Sequence, residues 1–147
     1  MGLSSATGRV FFLYGPGENL NRLIPSVIGS LLQGKAAACT DCNQIRDFLY
    51  IEDVADALVS LTDSDVQGVV NVGSGKPIQL KDLVSEIGKI LDAEDHIQFG
   101  AIPRAKGEPD ILRAHTGRLN NELHWYPSHS LQDGLLKTID WVRSKKQ

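Results

Sequence analysis

Arg46 is the second residue of the segment IRDFLYIEDVADAL, residues 45–58, in which a cation, an alternating apolar strand and two acids follow in order. Phe48 and Tyr50 alternate as a strand requires. Glu52 and Asp53 stand where a helix over residues 54–61 would start, so they are expected to cap it. A guanidinium on a strand edge beside a helix N-terminus suits a diphosphate, because its planar fork meets paired phosphate oxygens. The same residues also read as a structural Arg–Asp pair, and the segment alone does not choose between the two.

Other chemistry-bearing residues are sparser. Cys39 and Cys42 form one CxxC. A zinc site would need two further ligands, and His96, His115, His124 and His129 are too scattered to supply them, so no metal is expected. A thioredoxin-like pair would open a helix, whereas residues 39–43 read as a strand end entering a turn. Gly73-Ser74-Gly75 follows an apolar strand but lacks the third glycine of a dinucleotide fingerprint, which favours a plain strand-to-helix turn. Tyr14, Tyr50 and Tyr126 are followed four residues later by Glu18, Val54 and Ser130, so no Tyr-xxx-Lys acid–base pair exists in this sequence.

The elements that must position these residues alternate. Strands are expected at residues 9–14, 36–40, 48–51, 68–72 and 97–99. A helix over residues 22–32, capped by Asn19 or Asn21, should stop at Gly34. Residues 80–91 carry Leu80, Leu83, Val84, Ile87, Ile90 and Leu91 at helical spacing. Thr116 should cap a short helix to Leu123, and Ser130 a final one with Leu131, Leu135, Ile139 and Val142 inward. Alternation of this kind predicts an α/β domain without internal repeats.

Five pieces in order, RVFFLYGPGEN, GKAAACTD, IRDFLYIEDVADAL, VVNVGSGKPIQLKDLV and GEPDILRAHTGRLNNELHWYP, together resemble the extended short-chain dehydrogenase/reductase superfamily. Its members are NAD(P)-dependent nucleotide-sugar epimerases, dehydratases and reductases. The resemblance implies partial Rossmann-type strands plus the small α/β substrate-binding domain. Residues 1–147 would be a single C-terminal domain, with the dinucleotide-binding part absent. It further implies that Phe11 approaches the nicotinamide of NAD or NADP, and that Phe12, Arg22, Leu23, Ala38, Thr40, Arg46, Arg104 and Lys106 approach a nucleotide-diphosphate sugar. Phe12 departs from the asparagine of many members, which removes a hydrogen bond to a sugar hydroxyl. Ala105 stands where relatives place a second phosphate-clamping arginine, so that role would shift to Arg104 or Lys106 or be lost. On this reading the chain recognises the sugar nucleotide, carries no catalytic residue and binds no cofactor tightly by itself. The alternative is a non-enzymatic ligand-binding or regulatory module of the same superfamily.

The 147 residues suffice for one real core. A net charge of −3 and pI near 5.7 argue against nucleic acid as a general partner, and the basic run at residues 143–146 reads as a solvated tail. No apolar stretch approaches the ~20 residues of a membrane span. The opening MGLSSATG lacks the charged and apolar regions of a signal peptide, and Ala6 breaks the myristoylation pattern, so a cytoplasmic location is expected. Residues 9–14 and 69–72 are near-continuous apolar runs, as in strands buried on both faces. Their open edges are expected to hold a homo-oligomer together.

Overall fold

A computed structural model describes residues 4–145, so readings placed on residues 1–3 and on Lys146 lie outside the described residues. The chain begins with two strands, β1 (Ala6–Val10) and β2 (Phe12–Tyr14), followed by helix α1 (Leu23–Leu31). Three short strands follow, β3 (Ala37–Ala38), β4 (Ile45–Arg46) and β5 (Phe48–Tyr50), and lead into α2 (Ile51–Thr62). Then come β6 (Gly68–Val72), β7 (Ile78–Gln79), α3 (Leu80–Ile90), β8 (Ile97–Gln98) and β9 (Ile111–Leu112), with α4 (Gly117–Asn121) and α5 (Leu131–Ser144) last. The mixed α/β class is the expected one.

Pairing explains why the run expected as one strand at residues 9–14 is two. β1 lies parallel to β6, with Val10 opposite Val72, and the Phe11 amide donates to Val72 O at 3.2 Å. The chain then changes partner, and β2 lies parallel to β5 with Phe12 opposite Phe48 and Tyr14 opposite Tyr50. β3 pairs with β8 in parallel, and β4 lies between antiparallel β7 and parallel β9. β4, β7 and β9 are two-residue strands, too short for periodicity to reveal.

Burial on both faces of the apolar strands does not hold. Val70 and Val72 are fully buried whereas Val69 is 44% exposed, because α2 and Leu119 cover only one face of β6. Alternation thus sets a one-sided strand within an apolar run.

Helix starts differ from expectation where side chains have other work. α2 begins at Ile51, so Glu52 and Asp53 lie inside its first turn, where negative charge suits the helix dipole, and neither caps it. α1 begins after Arg22 with no side-chain cap, and Asn19 instead accepts the Asn21 amide at 2.9 Å in a local turn. α5 follows the expectation: Ser130 accepts the Asp133 amide and Asp133 reaches back, a full capping box.

Two cores result. One joins α1, α3 and α5 through Ile24, Ile28, Leu83, Ile87, Leu135 and Ile139, with Tyr14 and Tyr50 at its margin. The other places Leu49, Val54, Ala57 and Leu61 against Val70, Val72, Leu119 and Trp125. Each buried Leu or Ile contributes roughly 1.5–3 kcal/mol. Gly134 is required by the close approach of Tyr14, whose hydroxyl occupies the place of a Cβ.

Candidate functional site

Arg46 lies on the central strand of the β7–β4–β9 sheet and is 3% exposed. Its guanidinium donates to Glu108 Oε1 at 2.7 Å, to Pro109 O at 2.9 Å, to Ile45 O at 2.9 Å and to Asp110 O at 3.3 Å, and it stands 5.6 Å from the centre of the Phe12 ring. Glu108 also accepts from Gln44 Nε2 at 2.9 Å and faces Arg104 at 3.6 Å, and Arg104 in turn meets Asp110 at 2.7 Å. The hydrogen bond from Gln44, followed by those from Arg46, holds the Glu108 carboxyl below the ordinary carboxylate range against the opposing effect of burial. Gln44 Oε1 is buried and has no hydrogen-bond partner among the described residues.

Arg46 does not pair with the adjacent Asp47. Strand alternation turns Asp47 to the other side, where it is fully buried. Its carboxylate accepts from Ser74 N at 2.7 Å, Ser74 Oγ at 2.7 Å, Gly75 N at 3.0 Å and Ala114 N at 3.4 Å. The turn after β6 is therefore a structural one, as expected for Gly73-Ser74-Gly75. The amides that a dinucleotide phosphate would need there are already filled by a carboxylate, so this turn does not fit NAD(P).

The parallel register of β2 and β5 puts an aromatic row on one face. Phe12 and Phe48 have ring centres 5.6 Å apart, Tyr14 lies 6.3 Å from Phe48 and 5.7 Å from Tyr50, and Tyr50 is 4.8 Å from His129. Beside the row opens a cavity of about 450 Å³ lined by Tyr14, Phe48, Tyr50, Lys76, Ser128 and His129 among others. Burial pushes the Tyr14 phenol up, and its hydroxyl donates to Leu131 O at 3.2 Å. At the far end Asp53 accepts from Ser128 Oγ at 2.7 Å and from the Ser128 and His129 amides, and His129 Nδ1 lies 2.9 Å away. Burial raises the Asp53 carboxyl, but the bonds from His129 and Ser128 outweigh it and hold the group below its usual range. Lys137 joins Glu52 at 3.0 Å and closes the network.

The structure thus gathers Phe12, Arg46 and Arg104. Phe11 is half-buried between β1 and β2, where its amide donates to Val72 O. Arg22 and Leu23 begin α1, where Arg22 is exposed and faces Glu18 at 3.6 Å. Ala38 is exposed on β3, and Thr40 follows it in the turn that leads to Gln44. Lys106 is exposed in the loop that carries Glu108. Gln44, Glu108 and Asp110 were not singled out from sequence. The only signal was the GEPD string itself, since nothing local says which arginine its acids will meet.

A model of the NAD dependent epimerase/dehydratase family matches residues 1–73. UDP-glucuronic acid decarboxylase 1 of Danio rerio is 29% identical over 143 residues, which cover 95% of this chain and 34% of that protein. The dTDP-glucose 4,6-dehydratase of Salmonella typhimurium is 30% identical over 142 residues, covering 91% of this chain and 39% of that enzyme. Among solved structures, UDP-N-acetylglucosamine 4-epimerase from Methanobrevibacter ruminantium M1, in complex with UDP-N-acetylmuramic acid, superposes with a TM-score of 0.88 at 26% identity. That match covers 97% of this chain and 47% of the epimerase. The fold is that of part of a Rossmann-like epimerase/dehydratase, and the chain spans between a third and a half of the length of these relatives. Among the described residues no helix is long and apolar enough to cross a membrane.

Proposed function

We propose that this chain is the sugar-nucleotide-recognising part of an NAD(P)-dependent nucleotide-sugar epimerase, dehydratase or reductase, and that Arg46 receives the diphosphate. One observation carries the reading: Arg46 is held rigid by three carbonyls, yet its only carboxylate partner among the described residues, Glu108, is 32% exposed on a loop. A buried arginine whose counter-ion faces solvent can exchange that carboxylate for phosphate oxygens without being moved. Arg104 stands beside it as the second cation, and Phe12 supplies a ring surface where a sugar-binding asparagine would otherwise be, which favours a deoxygenated sugar. Phe11, between β1 and β2, would approach the nicotinamide in the complete enzyme. Arg22, Leu23, Ala38, Thr40 and Lys106 would border the nucleotide.

Ligand-observed NMR against UDP-, dTDP- and CDP-sugars tests the reading. Binding should weaken about ten- to a hundred-fold in Arg46→Ala, the loss of one charge-assisted contact worth roughly 1.5–3 kcal/mol. Equal affinity in a folded Arg46→Ala variant means that Arg46 is structural only. The isolated chain should show no turnover and no tight NAD(P) binding, and a micromolar constant by calorimetry for either dinucleotide overturns the division of labour. We further propose self-association through β1, whose one strand partner among the described residues is β6, whereas the outer edge of β6 is covered by Arg118 bonding to Val69 O and Gln67 O. A clean monomer by light scattering at tens of micromolar sinks that part.

A further inference from the structure

The turn between β3 and β4 carries two thiols, Cys39 and Cys42, both buried in the same core cluster. The Cys39 amide donates to Gln98 O at 2.9 Å and its carbonyl accepts from Ile102 N at 3.2 Å, which fixes the first cysteine against β8 and the residues after it. Thr40 Oγ1 then accepts the Cys42 amide at 3.2 Å and lies 3.7 Å from Cys42 Sγ, folding the chain back on itself. Cys42 completes the reversal at φ +54°, a left-handed conformation that L side chains rarely adopt. Its carbonyl accepts the Lys81 amide at 2.9 Å, and the Gln44 carbonyl accepts that of Leu80 at 2.9 Å, so the turn also caps α3. Both cysteines are free, and they are 2% and 1% exposed, in one core cluster. Asp41 and Asn43, on either side of Cys42, are exposed, so the sulfurs lie one residue beneath the surface.

We propose that Cys39 and Cys42 are a reversible dithiol that closes to an intrachain disulfide on reaction with a small-molecule disulfide. The two thiols are chemically unequal. The Cys39 thiol donates towards the Cys42 sulfur and, together with Thr40, brings the Cys42 pKa down to about 7 despite burial. The same contact, with burial, pushes Cys39 up. Cys42 is therefore the attacking sulfur at neutral pH and Cys39 the resolving one. The Cys42 thiolate attacks one sulfur of RSSR, the S–S bond breaks, and RS⁻ leaves. Cys39 then gives up its proton to solvent and attacks the Cys42 sulfur of the mixed disulfide, expelling the second RS⁻. Both RS⁻ groups take up protons, so two protein thiols are oxidised while one RSSR is reduced to two RSH.

The pair has a mechanical connection to the site. Gln44 follows Cys42 by two residues and holds Glu108, the counter-ion of Arg46. Closing the disulfide re-forms the turn and moves Gln44, so the oxidation state of the thiols is transmitted to the Arg46–Glu108 pair. This link does not depend on what Arg46 binds.

The test is exposure of the native, reduced chain to oxidised glutathione, followed by intact mass and free-thiol titration. The expected product has lost two hydrogens and both free thiols, carries no glutathione, and reverts with dithiothreitol. Its rate should rise with pH through about 7. Cys39→Ser should stop at one glutathione on Cys42, and Cys42→Ser should react about tenfold more slowly. Reaction only in denaturant, stable glutathione adducts on both cysteines, or disulfide-linked chains as the sole product overturn the proposal. In the oxidised chain, the side-chain NMR signals of Gln44 and Arg46 should shift, and changes confined to residues 39–42 remove the link to the site.

Discussion

Arg46 and Asp47 are adjacent, buried and charged, and they end in opposite situations. Asp47 is fully buried and accepts from four donors, three in the turn after β6 and one from Ala114. Arg46 is nearly as buried, but its charge is answered by Glu108 at the rim. Burial of the charge alone does not distinguish the two; the proposed recognition role of Arg46 rests on Glu108 being a half-exposed loop carboxylate that a phosphate could replace. A carboxylate sealed among amides holds a turn, whereas a cation paired with an accessible acid can change partner. Asp53 has a structural part of its own, since it ties the segment before α5 to α2.

Substitutions can break this comparison. The largest effect should come from Asp47→Ala, which strands the Ser74, Gly75 and Ala114 amides and should cost about 3–5 kcal/mol in urea unfolding. A loss under about 1 kcal/mol would show that water replaces the carboxylate. Arg46→Ala orphans three carbonyls and Glu108 and should cost roughly 2–4 kcal/mol, less than Asp47 because solvent reaches Glu108. Asp53→Asn keeps the shape but weakens the bonds to Ser128 and His129, for an expected loss of about 1–2 kcal/mol read as an earlier denaturant midpoint. The smallest stability change belongs to Glu108→Gln, about 0.5–1 kcal/mol, with the opposite sign on ligand binding. Freed of its counter-ion, Arg46 should hold inorganic pyrophosphate more tightly by calorimetry, and unchanged or weaker binding would place Arg46 with Asp47 as architecture.

Acid sharpens the same contrast. Asp53 and Glu108 both have folded values below their unfolded ones, so the stability they contribute is complete above the ordinary carboxylate range and fades as pH falls through the lowered values. Glu18 runs the other way, since burial raises it and its ionised form opposes folding. In Glu108→Gln the loss of stability on acidification should be shallower than in the parent, measured as denaturant midpoint against pH.

The sequence determined the elements whose information is local. Helical spacing in residues 80–91 marked α3, Ser130 and Asp133 marked the start of α5, and the apolar run at residues 68–72 marked β6. Arg46 stood out as a candidate site residue because an arginine before a strand and two acids is an unusual local arrangement. Only the tertiary structure decided its partner. Glu108 meets Arg46 across 62 residues of sequence and is itself met by Gln44 and Arg104, and β4, β7 and β9 exist only because they pair with one another. The same holds for Asp53, which looks like a helix cap in one dimension and ties down the segment before α5 in three. Capping and periodicity are governed by neighbours within about four residues. The fate of a buried charge is governed by whichever donor or carboxylate the packing brings within 3 Å, and that distance is set only once the cores have closed.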